Sequence, residues 1–286
     1  MAPVKVIDFH THTFPDAIAA RAIAQLSAAS HTKPFTDGTE AGLRASMRRA
    51  GIGMSVILPV ATNPKQVVKI NDAAMRVNET TNETGLLSFG CMHPDFEGWY
   101  SELARLHDAG VRGIKLHPVY QGVDFDDPRN LRILERAAGL ELCVITHAGL
   151  DVGFPGVVRC SPKMILHAMR EVGPMKLILA HMGGWRCWDE VLDLLPQSGA
   201  YIDTSFSLGR MTPNGDGYYQ EEEELCLLDT ERFVSLIRAF GADRVLFGTD
   251  SPWADQSDAL RQFKQLPLTE AERNMILYEN ALSLIQ

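Results

Sequence analysis

The chain has 286 residues, 45% hydrophobic and 22% charged, enough for a large core in one or two domains. Its net charge of −9 and pI near 5.5 argue against nucleic acid or an anionic membrane as the main partner. Five cysteines (Cys91, Cys143, Cys160, Cys187 and Cys226), with no C-x-x-C pair, read as a reduced chain, not a disulfide framework or thiolate zinc knuckle.

In chain order, short apolar runs alternate with longer amphipathic stretches. The runs are VKVIDFH (4–10), MSVILPV (54–60), LLSFGCM (86–92), GIKLH (113–117), LCVITH (142–147), KLILAH (176–181), YIDTSF (201–206) and RVLFGTD (244–250). They are apolar on both alternating faces, as parallel strands covered by helices should be. Helix-like segments include PDAIAARAIAQLSAA, NPKQVVKINDAAMRVNETT, WYSELARLHDAG, SPKMILHAMREV and WDEVLDLL. Asn63-Pro64, Ser161-Pro162 and Gly173-Pro174 mark starts and stops, and Gly51, Gly110 and Gly139 sit where helices should end. Eight strand–helix units predict a single-domain (β/α)₈ TIM barrel over 1–286. An open doubly wound sheet is the alternative, but the first turn reads HTHTFP instead of a Gly-rich phosphate loop. Segment 207–230 is long enough for a lid, a subunit contact or a mobile flap. No apolar run approaches the roughly 18 residues that would span a bilayer, and no signal-like segment precedes Val4. The expectation is a soluble, cytoplasmic protein.

Polar residues gather at the strand ends. His10 and His12 share one face of the first strand, since side chains i and i+2 point the same way. Lys115 and His117 end the fourth run, His147 the fifth, His181 the sixth and Asp250 the eighth. His147 and His181 are 34 residues apart, and His181 and Asp250 are 69 apart, close to one and two βα units of roughly 30 or more residues. Remote in sequence, these groups converge at the mouth of a barrel, where imidazoles and a carboxylate suit zinc or another divalent transition ion. His31, His107 and His167 read as solvated or capping residues, and His93 is undecided. Trp185, Trp188 and Trp253 are placed to wall a pocket, although Trp188 equally suits packing of its own helix. Asp203 is placed to orient a ligand histidine. Arg159 and Arg210 sit on loops at the same end and are candidate cations for a substrate carboxylate. Gly183 and Gly184 suggest a tight turn, and Glu221–Glu224 a solvated acidic run.

IDFHTH, GIKLHP, VITHAG, LAHMGG and FGTDSPW, in that order and with the ending YENALSLI, resemble the amidohydrolase superfamily over residues 6–285. The likeness is greatest to its amidohydrolase-related branch, which includes aminocarboxymuconate-semialdehyde and resorcylate decarboxylases as well as hydrolases. The resemblance implies that His10, His12, His147 and Asp250 bind a catalytic metal. It implies that His181 is a general acid/base, a substrate polariser or a ligand to a second ion. Lys115 matches a place where some members carboxylate a lysine to bridge two metals; a plain lysine paired with a carboxylate is the alternative, and His117 is one step nearer the mouth.

The expected cofactor is one or two divalent ions, Zn2+ first and Mn2+ or another transition metal next. Asp250 and His181 are the expected catalytic pair, with His117, Arg159 and Trp253 as substrate contacts. The leading expectation is hydrolysis of a small amide, lactone or ester by metal-activated water. The alternative is non-oxidative decarboxylation of an aromatic or enoic acid, and a third reading is a catalytically silent barrel. The expected partner is a small molecule; oligomeric state stays open, although barrels with long mouth loops often pair.

Overall fold

The computed structural model of the protein describes residues 6–286. Eight parallel strands follow one another around a barrel: β1 (Ile7–Thr11), β2 (Met54–Ile57), β3 (Leu86–Ser88, resuming at Gly90–Cys91), β4 (Gly113–Leu116), β5 (Cys143–Thr146), β6 (Leu177–Leu179), β7 (Tyr201–Asp203) and β8 (Val245–Leu246). The interruption at Phe89 divides β3, its first part pairing with β2 and its second with β4. The ring closes between β1 and the chain after β8. Phe9 N–H donates to Phe247 O at 2.8 Å, Asp250 N–H to His10 O at 2.8 Å and His12 N–H to Ser251 O at 2.7 Å. The fold is thus the expected α/β barrel.

Helices cover the outside, among them Asp16–Ser30, Val67–Asn78, Trp99–Asp108, Pro162–Val172 and Trp188–Leu194, over the segments whose sequence predicts them. Local chemistry sets their ends. Ser161 caps the Pro162–Val172 helix by accepting from Met164 N–H, and Gly51 takes the left-handed conformation (φ 72°) that closes Glu40–Ala50. Several apolar runs outlast their strands: 244–250 contributes only Val245 and Leu246 to the ladder, and the rest bends over the mouth.

The barrel interior is apolar below and polar above. Ile7, Phe9, Cys143, Ile145, Ile178 and Leu246 pack together, with Ala281 and Leu284 from the last helix (Asn280–Ile285) against them. A register irregularity between Asp8 and Thr11 interrupts the alternation of β1. Phe9 can therefore join the apolar layer while its neighbour His10 lines the polar one, a usual service of a bulge beside a site. Segment 207–230, expected as a lid or flap, folds down against the end of the first helix. Lys33 N–H donates to Thr212 O at 2.9 Å, Tyr219 Oη to Ser30 O at 2.9 Å, and the His31 ring stacks on Tyr218 at 3.7 Å.

Asp8, buried in β1, ties β1 to β8. It accepts from Thr249 Oγ1 (2.5 Å), Thr249 N (3.0 Å), Gln256 Nε2 (2.7 Å) and His10 N (3.2 Å). Burial pushes its pKa up to about 6 against the pull of these donors, so it is ionised at pH 7. Replacing it would strand several buried donors, each costing about 1–3 kcal/mol. Asp8→Ala should lower unfolding stability in urea by about 3 kcal/mol or more; a loss under about 1 kcal/mol would show that the seam closes without it.

Candidate active site

The first cluster can be built by following protons outward from β7. Asp203, fully buried at the end of that strand, takes a hydrogen bond from His10 Nδ1 at 2.7 Å. A carboxylate here assigns the His10 proton to Nδ1, which leaves a lone pair on Nε2. His12 Nδ1 likewise donates to Leu58 O at 2.8 Å, so its Nε2 also carries a lone pair. Both lone pairs meet Asp250 Oδ1: His12 Nε2 lies 3.1 Å from it, His10 Nε2 3.5 Å, and the two nitrogens are 3.2 Å apart. Three electron-rich atoms converge with no proton assigned between them. Ligands at about 2.1 Å around a tetrahedral ion lie about 3.4 Å from one another, which is the spacing found.

Electrostatics keep the imidazoles available. Burial, then the nearby Lys115 charge, pushes the His10 pKa well down, and burial pushes His181 down to about 3. Both are neutral, as metal ligation or lone-pair hydrogen bonding requires. Against its burial, the Asp250 carboxyl is held well below the usual range by positive charge on the side of His12, His10 and His181; with those nitrogens unprotonated, a cation among them would supply that charge.

Ser205 links the inner residues. Its hydroxyl donates to Asp203 Oδ1 and lies 3.0 Å from Nδ1 of both His10 and His181. His181 Nδ1 lies 3.1 Å from Ser205 O, so that nitrogen carries its proton and Nε2 faces His147 Nδ1 at 3.1 Å. Three residues that line the site have left-handed backbones: His181 (φ 61°), Phe206 (φ 46°) and Asp250 (φ 67°). Non-glycine residues pay roughly 1–3 kcal/mol for such conformations, which cluster at functional sites.

Above these groups is a cavity of about 180 Å³. Its floor is His10, His12, Lys115, His117, His147, Asp151, His181 and Asp250; Phe14, Leu58, Tyr120, Trp185, Phe206 and Trp253 supply much of its wall. All the metal and acid–base residues expected from the sequence therefore share one chamber, but not one cluster. His147 groups with His117 and Asp151, apart from the His10–His12–Asp250 triad.

Other expectations resolve differently. Arg159, expected as a substrate cation, pairs with Asp124 at 2.8 Å and is outside the cavity lining, because the Leu150–Asp151/Phe154–Val158 hairpin carries it away from the mouth. Arg210 pairs with Glu222 and borders a neighbouring hollow of about 110 Å³. Lys115 makes no ion pair among the described residues; its Nζ lies 3.4 Å from His10 Nε2. Trp188 packs in its own helix and donates to His181 O, while Trp185 and Trp253 do wall the pocket. His93 is buried outside the lining, accepting from Asp95 N–H, and His31, His107 and His167 pair with Asp216, Asp108 and Asp126. Sequence reasoning passed over Asp151, Ser205 and Tyr120. Asp151 follows His147 by four residues in HAGLD, a spacing that flags it only if that stretch turns back over the mouth.

Gly248 holds His10 in place from behind: a Cβ there would stand 2.9 Å from His10 Cβ, a backbone-anchored atom with nowhere to go. Gly248→Ala should cost about 1–3 kcal/mol in urea unfolding through overpacking and shift the His10 ring in a crystal structure of the variant. An unmoved ring would show that β8 does not pin it.

Among curated proteins, the chain is similar to a gamma-resorcylate decarboxylase from Polaromonas sp., 26% identical over 140 residues, which is 42% of this chain and 40% of that relative. Among solved structures it resembles a dihydroxybenzoic acid decarboxylase from Polaromonas sp. JS666, with bound manganese and the inhibitor 2-nitroresorcinol, at 17% identity and TM-score 0.66, over 99% of this chain and 97% of that one. It also resembles a putative 2-pyrone-4,6-dicarboxylic acid hydrolase from Pseudomonas putida, at 18% identity and TM-score 0.63, over 99% and 98% of the two chains. At such identities these structures share the fold. A family model described as Amidohydrolase (Amidohydro_2) matches residues 7–285, and the chain belongs to that amidohydrolase family.

Proposed function

We propose that this chain is a metal-dependent, non-oxidative decarboxylase of a small aromatic acid. The observation that carries the reading is the triad of unprotonated donors, His10 Nε2, His12 Nε2 and Asp250 Oδ1, at tetrahedral spacing on the floor of an aromatic-walled cavity. His10, His12 and Asp250 would hold the ion, with His147 the further candidate that the family resemblance adds. A bound divalent ion there would supply positive charge to a phenolate and carboxylate of the substrate. Manganese or zinc both suit a mixed imidazole–carboxylate set, and a manganese-loaded structure of the same fold favours testing manganese first.

The remaining features fit one substituted ring. A cavity of about 150 Å³ holds benzene, and this one is about 180 Å³. Lys115 is the cation that lines it. Burial pushes the lysine pKa down to about 8, with Asp203 and Asp250 pulling the other way, so it remains largely protonated at pH 7 and can pair with a carboxylate. Asp250, ionised at rest, can accept the proton of a phenolic hydroxyl. It can then return that proton to the ring carbon as the C–C bond breaks: the bonding electrons become the new C–H bond and CO2 departs. Neutral His181 serves as a hydrogen-bonding partner near the leaving group. The apolar walls keep water from the ring carbon.

Hydrolysis of a lactone, ester or amide, the first expectation from sequence, becomes the second reading. It is favoured by the ionised Asp250 carboxylate, which can equally take a proton from a water. The decarboxylase in the curated comparison and the aromatic walls reverse the order.

Incubation with 2,6-dihydroxybenzoate and related phenolic acids in deuterated water should release CO2 and leave one deuterium on the ring, in proportion to bound metal. Lactone opening without CO2 release would favour the second reading. Chelation should abolish turnover, and Asp250→Asn should lower kcat about 10²–10⁴-fold. Asp203→Asn, which loses the acceptor fixing the His10 tautomer, should weaken ion affinity about 10–100-fold; unchanged affinity would detach Asp203 from the site.

A further inference from the structure

We infer that Phe206 sets the size limit of the substrate: its ring parts the catalytic chamber from a neighbouring apolar hollow and so restricts the site to single-ring compounds. This rests on reading the chamber as the substrate pocket, and it adds which side chain rejects a fused second ring.

The hollow, about 110 Å³, lies between the loop after β7 and the helix Gln256–Lys264 that follows β8. Phe233, Phe247 and Phe263 supply much of its apolar lining, and Ala259 faces it from that helix. The catalytic chamber, about 180 Å³, shares just two lining residues with it among the described residues, Phe206 and Trp253. Since benzene occupies a cavity of about 150 Å³, the chamber has room for one ring. A fused second ring would have to pass the shared wall and enter the hollow.

The Phe206 half of that wall is fixed in place. Its neighbours Ser205 and Ser207 are both buried, and Ser207 Oγ donates to Ser205 O at 2.8 Å. Trp185 Nε1 donates to Phe206 O at 3.2 Å, and the two rings stack with centroids 6.4 Å apart at 27°. The backbone at Phe206 is left-handed, φ 46°, a conformation that glycine adopts without a Cβ penalty. A position better suited to glycine thus carries a large ring, and that ring closes the chamber. Trp253 supplies the other half of the wall, but its N–H donates to Asp250 O at 2.8 Å, which ties it to the His10–His12–Asp250 triad. Phe206 makes no hydrogen bond to the triad among the described residues, so its ring can be removed on its own.

The test is calorimetric binding of phenol and 2-naphthol, one ring against two with the same hydroxyl, to the full-length protein. Wild type should bind 2-naphthol no more tightly than phenol, although the larger probe has more apolar surface to bury. Phe206→Gly, whose backbone keeps the left-handed turn, should raise the ratio of 2-naphthol to phenol affinity by at least about tenfold, the low end of what one methylene decides in an apolar pocket. Ala259→Leu, which fills the hollow from its far side, should reverse that gain in the double variant and leave phenol binding to otherwise wild-type protein unchanged. Thermal unfolding checks that each variant is folded, and Phe206→Ala is read in the same way if the glycine variant is not. Tighter binding of 2-naphthol by wild type overturns the inference. So does a folded variant with an unchanged ratio or no uptake of 2-naphthol, and so does a gain that survives Ala259→Leu. Neither probe carries a carboxylate, so a failure to release CO2 from phenolic acids would count against the decarboxylase reading and leave this result standing.

Discussion

Asp203 sits at the end of β7 with one oxygen on His10 Nδ1 at 2.7 Å and the other receiving His181 N–H and Ser205 N–H at 2.9 and 3.0 Å. One buried carboxylate thereby fixes three things: the His10 tautomer, the path of the backbone after β6, and the position of Ser205. Everything at the mouth follows from the first. With its proton committed to Asp203, His10 can present only a lone pair to His12 and Asp250, and the barrel must supply a positive charge there or tolerate the repulsion.

The same floor explains why the strand ends are strained. His181, Phe206 and Asp250 adopt left-handed conformations that glycine would take more easily. Glycine would carry no imidazole, wall ring or carboxylate, so the strain is retained where the side chain is needed. At roughly 1–3 kcal/mol each, three such residues are a substantial load on a domain whose net stability is of order 5–15 kcal/mol. The apolar layer beneath, from Phe9 to Leu246 with Ala281 and Leu284, makes that load tolerable by burying large side chains fully.

Decarboxylation and hydrolysis ask nearly the same things of this chamber: a neutral imidazole floor, an ionised Asp250 and exclusion of bulk solvent. They differ in the body that occupies the space between ion and carboxylate, a ring carbon in one case and a water in the other. Shape weighs on that choice more than any single catalytic group, because Phe14, Trp185, Phe206 and Trp253 wall the space that either must occupy.

Much was legible in the sequence. Runs apolar on both faces at βα spacing dictate a parallel sheet buried on both sides, and eight such units with no Gly-rich first turn favour closing it into a barrel. The polar residues ending those runs lie at the mouth because a barrel has one end where strands finish, so His10, His12, Lys115, His117, His147, His181 and Asp250 all line one cavity. That Asp203 on β7 is placed to orient a ligand histidine was legible too; that the histidine is His10 was not. What sequence could not decide was partnership within a few ångströms. Periodicity fixes which way a side chain leaves a strand; it does not fix where a turn brings the chain back. The hairpin after β5 carries Asp151 to His147 and takes Arg159 to Asp124, and the bulge in β1 allows Phe9 and His10 to serve different layers. These outcomes depend on loop closure and on the rotamers that packing permits, and so only the tertiary structure sorted the histidines into two groups.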